Sequence, residues 1–267
     1  MQLAKHIDNS KLLYLNQSYG NKSADAISIN ENHCFRWIAF GDVIQSVMHK
    51  RKPWLPTLPH QTIMLLPLIF FKPQNIIELG LGGGNLARFL SHLSDKISFT
   101  SVECNSVVID CFEQYFNPQN APISIIHNRA ETWLMDKKLS KQHTKSLDWL
   151  ICDVYQQQLI DFKETINLLE VFMSSISSNT CLSINLPDAN DQEVNLCLTI
   201  LHQLQSNHRI LYFHVPNYLN IVIHIIPEHW PVDFPNRSNK HSYLNKRIYK
   251  RALTFWSYFK KTTPIPD

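Results

Sequence analysis

Four of the six glycines in this chain of 267 residues lie within five positions, at Gly80, Gly82, Gly83 and Gly84. Glycine tolerates positive φ and has no Cβ, so a ligand can lie directly against the backbone of such a loop. An apolar, strand-like run over residues 76–79 leads into the loop, and helix-forming residues follow it. At a strand-to-helix junction, free N–H groups and the helix dipole face the ligand. The pattern predicts a ligand-binding loop. The alternative, a tight turn that binds nothing, would need only one or two glycines.

Two carboxylates follow predicted strands at positions where α/β sheets bind ligands. Glu103 closes the strand after the glycine loop, about twenty residues further on, where an acidic side chain can accept both hydroxyls of a ribose. Asp153 ends a later strand and faces the crevice beside the loop, where it can orient or deprotonate an amine or hydroxyl nucleophile. A helix N-cap is the alternative role for Asp153.

The glycine spacing favours an adenosyl nucleoside over a nicotinamide dinucleotide. The dinucleotide fingerprint GxGxxG needs glycine where this chain has Asn85, so that the helix can approach the strand closely. The chain instead reads GxGGG, and a β-rich segment precedes the first strand of its α/β region. Taken alone, the motif is weak.

Composition narrows the class of protein. A net charge of +3 and a pI near 8.5 are too mild to argue for a nucleic-acid partner. The N-terminus lacks the apolar core of a secretory signal. The longest apolar run, over residues 63–71, contains Pro67 and falls short of the ~20 residues that a membrane helix requires. We therefore expect a soluble, cytoplasmic protein whose partner is a small-molecule substrate.

The thiols and imidazoles show no metal-binding pattern. The six cysteines form no CxxC pair, and the thirteen histidines show no HExxH or HxH grouping. The sequence predicts reduced, mostly buried thiols and no metal.

Periodicity divides the chain into four regions. Residues 1–26 are weakly patterned and predict a helix or loop of low order. Residues 27–59 predict a small β domain of two or three antiparallel strands, ending in a linker or lid with three prolines. Residues 60–230 alternate strands and helices, which predicts an α/β fold with a doubly wound parallel sheet. Residues 231–267 predict a basic amphipathic helix that docks on its own domain; a membrane surface or an acidic partner is the alternative.

The last two predicted strands of the α/β region are separated by residues 216–218 alone, so they should form an antiparallel hairpin at the sheet edge. Such a hairpin is typical of methyltransferase sheets. The fold class is therefore a class I methyltransferase-like (Rossmann-type) doubly wound sheet with a small N-terminal β-hairpin domain.

Residues 78–90, ELGLGGGNLARFL, resemble the first motif of the spermidine synthase (polyamine aminopropyltransferase) superfamily, most of all the spermidine synthase-like branch, whose loop commonly reads LGLGGGSLAR. Residues 40–46 are similar to the N-terminal hairpin motif of that family, and residues 148–153 to its fourth strand. The resemblance covers about residues 27–226. It implies a nucleoside cofactor, S-adenosylmethionine or decarboxylated S-adenosylmethionine, and a homodimer as in many members.

The resemblance also implies roles for individual residues. Gln45 and the loop from Gly80 to Gly84 would contact the nucleoside, and Glu103 would hold the ribose. Asp153 would face the substrate amine. His60 and Gln156 stand at two positions that the family uses toward the substrate.

The chain departs from the family where carboxylates are expected. Asn85, Arg129 and Gln156 each stand at a usual aspartate, and Thr62 stands at the glutamate of a Tyr-x-Glu motif. A polyamine carries several ammonium groups, which need carboxylates to bind them and a base to free one lone pair. We therefore expect a transferase with an altered acceptor, for which aminopropyl transfer to a polyamine is disfavoured. The alternative is a catalytically inactive nucleoside-binding or regulatory protein on the same fold.

Overall fold

A computed structural model describes residues 9–16, 26–140, 147–154, 162–187, 189–204 and 207–230, together with positions 250 and 254. Within these residues the chain builds two sheets, one of four strands and one of seven. No helix in the described ranges is both long enough and apolar enough to cross a membrane.

The N-terminal sheet is antiparallel, in the order β1-β2-β3-β4, and its strands are β1 Lys11–Asn16, β2 Ile27–Glu31, β3 Phe35–Phe40 and β4 Val43–His49. The predicted low order of residues 1–26 is wrong for β1. Leu12 and Leu15 are both exposed, so β1 shows no alternation of buried and exposed residues. Strand β1 forms because it pairs with the edge of β2. That pairing is a tertiary contact and leaves no pattern in the local sequence.

The second sheet has the order β10-β11-β9-β8-β5-β6-β7. Strands β5 to β9 pair in parallel, and β11 pairs antiparallel with both β9 and β10. The predicted doubly wound sheet and its terminal hairpin are confirmed. The strands are β5 Asn75–Leu79, β6 Ser98–Glu103, β7 Ser124–His127, β8 Trp149–Cys152, β9 Cys181–Leu186, β10 His208–His214 and β11 Ile221–Pro227.

Helices cover both faces of this sheet. They are α1 Pro59–Met64, α2 Asn85–Leu93, α3 Ser106–Cys111 continued by a π-helical turn Phe112–Phe116, α4 Ala130–Ser140, α5 Phe162–Ser175 and α6 Asp191–Leu204. The sequence predicts a helix over residues 61–71 that is kinked or ended by Pro67, and the α-helix does end before this residue. That ring has no N–H to donate, so α1 ends at Met64 and a 3₁₀ turn Leu66–Ile69 follows.

Two apolar layers flank the sheet. One packs α1, the 3₁₀ turn and α2 against the strands, and the other packs α4, α5 and α6 against the opposite face. Every residue of β8 is buried, as expected for a central parallel strand covered on both sides.

A buried polar chain ties α1 to the sheet. The indole N–H of Trp149 donates to Ser183 Oγ (2.8 Å), and the Ser183 hydroxyl lies 2.7 Å from His224 Nδ1. His224 Nε2 lies 3.1 Å from the carbonyl oxygen of Ile63 in α1, which can only accept. Nε2 therefore carries a proton, which it donates to this carbonyl. Burial lowers the pKa of His224 to about 3, and the Ile63 bond opposes this shift.

The N-terminal sheet packs on the glycine loop and on α3. Ile29, Ile38 and Met48 share one apolar cluster with Leu81 and Phe112. The sheet is therefore fixed against the segment that the sequence marks as a ligand site.

Candidate functional site

A cavity of about 940 Å³ lies between the N-terminal sheet and the carboxyl ends of β5, β6 and β8. Strand β5 lies between β6 and β8, so the chain adds later strands first on one side of β5 and then on the other. The strand order therefore reverses at β5. Open α/β sheets bind ligands at such a reversal point, outside the carboxyl ends of the strands. The cavity therefore stands where this fold places a ligand.

Two of the four clustered glycines line the cavity. Gly80 and Gly82 have positive φ, at 89° and 50°. A Cβ on Gly80 would lie 2.5 Å from the backbone oxygen of Asp153, so glycine is required where the ends of β5 and β8 approach. At Gly82 the nearest atom to such a Cβ would be Ser46 Oγ at 3.5 Å. A ligand in the cavity could therefore contact the backbone of Gly82 directly.

Gly83 and Gly84 are not among the residues that line the cavity. A Cβ on Gly83 would lie 2.8 Å from the Cβ of Ser46. Gly84 has φ of 63°, and a Cβ there would collide with the ring of Phe112. These two glycines let the N-terminal sheet and α3 pack closely on the loop.

Glu103 is held at the cavity wall by two backbone groups. Its Oε2 accepts from the N–H of Leu81 at 3.0 Å, and its Oε1 accepts from the N–H of Asn105 at 2.9 Å. The carboxylate thereby joins the glycine loop to the start of α3. Each oxygen keeps further acceptor capacity, so the pair can still accept two hydroxyls. Gln45, the other predicted nucleoside contact, lines the cavity from the N-terminal sheet.

Asp153 lines the cavity directly after β8 and accepts a hydrogen bond from an amide. Asn185 Nδ2 donates to Asp153 Oδ1 at 2.8 Å, and Asn220 Nδ2 donates to Asn185 Oδ1 at 3.1 Å. Both asparagines line the cavity, and sequence reasoning missed them. The available signal was an asparagine near the carboxyl end of β9, a strand that is otherwise largely apolar.

Asn85 joins the two walls of the site. Its Nδ2 donates to Ser46 Oγ at 3.1 Å, while its Oδ1 accepts from the guanidinium of Arg88. Arg88 also donates to the carbonyl of Gly83 and to that of Pro53 (2.8 Å). Asn85 thus uses both ends of its amide, one toward Ser46 and the other toward Arg88.

Burial changes the ionisation of two side chains beneath the loop. It raises the pKa of Glu78 well above its usual range, and the nearby Asp153 charge adds to this shift. Ser101 Oγ lies 3.3 Å from Glu78 Oε2. Burial lowers the pKa of Arg88 to about 9, against the attraction of Glu78. Burial thus disfavours the charged forms of both Glu78 and Arg88 at this wall of the cavity.

His60 also lines the cavity and is 8% exposed. Burial lowers its pKa, and Asp153 acts in the opposite direction. Arg129 lines the cavity as an exposed side chain, with its Nη2 3.7 Å from Glu131 Oε1. Gln156, the other predicted substrate residue, lies outside the described residues. Across the described part of the chain, no group of three or more His, Cys, Asp or Glu side chains could hold a metal ion.

The fold and the site together define a methyltransferase-type α/β protein with an N-terminal β-sheet that closes over the ligand cavity. No family model matches the sequence. A “Probable polyamine aminopropyl transferase” of Bifidobacterium longum (strain NCC 2705) is 30% identical over 127 residues. That match spans 47% of this chain and 26% of the relative, so the chain matches about a quarter of the relative's length.

Solved structures extend the likeness to nearly the whole chain. A probable spermidine synthase from Corynebacterium glutamicum ATCC 13032 has a TM-score of 0.65 at 14% identity, covering 96% of this chain and 99% of that one. A spermidine synthase in complex with the transition-state analogue AdoDATO has a TM-score of 0.61 at 12% identity, covering 94% and 86%. Human methyltransferase-like protein 13 in complex with SAH has a TM-score of 0.56 at 14% identity, covering 79% and 96%.

The chain thus shares the fold of spermidine synthases, and part of it resembles a probable polyamine aminopropyl transferase. The resemblance predicted from the glycine motif is thereby confirmed.

Proposed function

We propose that the chain binds an S-adenosyl nucleoside, S-adenosylmethionine or its decarboxylated form, and transfers a group from it to an acceptor other than a cationic polyamine. The observation that carries the proposal is the position of Glu103. Its carboxylate is clamped by two backbone N–H groups beside Gly80 and Gly82, in a cavity at the sheet's reversal point. This is where a ribose needs a bidentate acceptor.

The described residues fit such a ligand. The cavity lies within the usual range of about 300–1,000 Å³ for small-molecule sites. Gly80, Gly82, Glu103 and Gln45 would hold the nucleoside. A sulfonium donor supplies an already activated carbon, so the protein has mainly to align a nucleophile with it. Asp153, fixed by Asn185, is the carboxylate available for that task.

The charges of the cavity support an altered acceptor. Beside Asp153, the wall is made by the amides of Asn185 and Asn220 rather than by further carboxylates. Burial raises the pKa of Glu78, Glu103 accepts from two backbone N–H groups, and Glu131 lies 3.7 Å from Arg129. Next to the amides of Asn185 and Asn220, an ammonium-rich substrate would therefore depend on Asp153.

A catalytically inactive nucleoside-binding protein is the second candidate. The Asp153–Asn185 hydrogen bond favours it, because that bond occupies an oxygen of the carboxylate that would act on a nucleophile. The two candidates share the nucleoside site and differ in turnover.

Isothermal titration calorimetry with S-adenosylmethionine and with its decarboxylated form tests the proposal. The comparison uses the wild type, Glu103→Gln and the exposed control Glu170→Gln. Hydrogen bonds to a charged group contribute about 1.5–3 kcal/mol each, so Glu103→Gln should weaken binding at least tenfold. The control should bind like the wild type.

Each outcome has a separate meaning. If neither nucleoside binds the wild type, the proposal fails. Unchanged affinity in Glu103→Gln would make the ribose assignment wrong. Turnover of the decarboxylated form on putrescine would overturn the altered acceptor.

A further inference from the structure

The second residue of α1, His60, lines the cavity that contains Asp153, and its ring has a buried nitrogen without a partner. The side chain is 8% exposed, and Nδ1 has no hydrogen-bond partner among the residues that the structure describes. Leaving a buried polar atom unpaired costs about 1–3 kcal/mol. Such an atom in a native fold therefore needs an explanation, and a group supplied by a ligand is one.

The helix that carries His60 is held firmly at both ends. Gln61 Oε1 accepts from the backbone N–H groups of Thr57 and Leu58, both at 3.1 Å. At the other end, the carbonyl of Ile63 is bonded to the buried His224. The imidazole is thus mounted on a fixed element rather than on a loop, as a site that acts on a substrate requires.

The surroundings of the imidazole make it a proton acceptor. Burial lowers the pKa of His60, so the neutral ring with a free lone pair dominates at neutral pH. Asp153 opposes that shift because its charge favours the imidazolium, and Asn185 holds Asp153 in place. A neutral base whose cation is stabilised by a fixed carboxylate suits proton abstraction.

Building on the proposed function, we propose that His60 removes a proton from an uncharged amine or hydroxyl acceptor, with Asp153 stabilising the imidazolium. The acceptor atom attacks the donor carbon with the lone pair that it already has, and it displaces a neutral thioether that leaves with the electron pair of the C–S bond. As the new bond forms, the N–H or O–H bond of the acceptor breaks and its electron pair stays on the acceptor atom. A new N–H bond forms on the ring, which later returns the proton to solvent. The step needs no oxidant or reductant. An uncharged acceptor also suits a wall made of Asn185 and Asn220.

Proton binding by His60 can be measured without any turnover. The ring signals of ¹⁵N-histidine-labelled protein are titrated by NMR, and the His60→Gln variant assigns the signal of His60. In the wild type this signal should titrate below the ordinary histidine range, and in Asp153→Asn it should titrate lower still. Identical titration in both proteins would overturn the pairing with Asp153.

Turnover tests the chemical role with hydroxylamine, an amine that is largely uncharged at neutral pH, and with both S-adenosyl donors. General-base catalysis contributes about 10²–10⁴-fold, so His60→Gln should lose at least about 100-fold in kcat. Donor affinity by calorimetry should not change. The exposed control His202→Gln should match the wild type, and added imidazole should restore turnover to His60→Ala.

The possible failures are distinguishable. A wild type that binds no donor contradicts the proposed function itself. A wild type that binds a donor but leaves hydroxylamine unchanged overturns the uncharged acceptor. Wild-type turnover in His60→Gln overturns the proton transfer and leaves nucleoside binding intact.

Discussion

Acidification should destabilise the fold through one buried side chain, His224. This ring lies in the sheet core, where it contacts the Ser183 hydroxyl and the carbonyl of Ile63. Burial lowers its pKa from an ordinary 6.5 to about 3, while the unfolded chain exposes it to water. Lowering the pH therefore protonates the unfolded chain first.

The sign and size of the effect follow from this difference. Between the folded pKa of about 3 and the unfolded value of 6.5, the unfolded chain binds the extra proton. Stability is therefore complete above the unfolded pKa and declines as the pH falls toward the folded one. Each unit of difference is worth about 1.4 kcal/mol, so a drop from about pH 7.5 to about pH 5 should cost roughly 2 kcal/mol. That is a substantial part of the ~5–15 kcal/mol by which a domain is stable.

Urea unfolding at the two pH values measures this cost in the wild type, in His224→Gln and in the exposed control His202→Gln. His224→Gln should be less stable at neutral pH by about 1–3 kcal/mol, because buried groups lose their partners. Its stability should then fall by roughly 2 kcal/mol less than that of the wild type on acidification. Burial also lowers the pKa values of His60 and His208, which both proteins share, so the difference isolates His224.

Equal pH dependence in the wild type and in His224→Gln would refute the reasoning. It would mean that the ring is hydrated, or charged in the folded state.

Three further outcomes are expected. Gly84→Ala should lower the melting temperature, because its Cβ would meet the ring of Phe112 at a φ of 63°; a small effect would show that α3 can shift. Asn85→Ala should cost about 1–3 kcal/mol in urea unfolding because it removes the amide that bonds both Ser46 and the buried guanidinium of Arg88, and the part due to Ser46 should vanish in a Ser46→Ala background. Gln156→Asp should gain no turnover of decarboxylated S-adenosylmethionine on putrescine, because Asn85 and Arg129 still stand where the family resemblance predicts aspartate. Turnover would locate the lost chemistry at that position.

Much of the α/β region could be predicted from local pattern. Apolar runs bounded by glycine, proline and polar residues indicated the strands, and a helix follows the glycine loop as expected. Glu103 and Asp153 were found because each follows a strand of the parallel sheet. The predicted nucleoside and substrate roles of these residues await the experiments above.

Other parts of the site have no local signal. Ser46 and Asn85 are far apart in the chain, so no sequence period could show that they bond. The sequence predicts Gly83 and Gly84 as ligand contacts, and it gives no sign that Ser46 and Phe112 also leave no room for a Cβ there.

The sequence by itself determined the order of strands and helices, the doubly wound sheet and the loop at which a ligand should lie. These follow from short-range periodicity and from the special backbone of glycine. Only the tertiary structure decided which side chains share the cavity. Four separate segments supply the side chains of His60, Asp153, Asn185 and Asn220. They meet because α1 and the neighbouring ends of β8, β9 and β11 lie at the end of the sheet where its parallel strands finish. The pKa of His60 likewise depends on the tertiary structure, because it is shifted by burial and by Asp153, a carboxylate far away in the sequence.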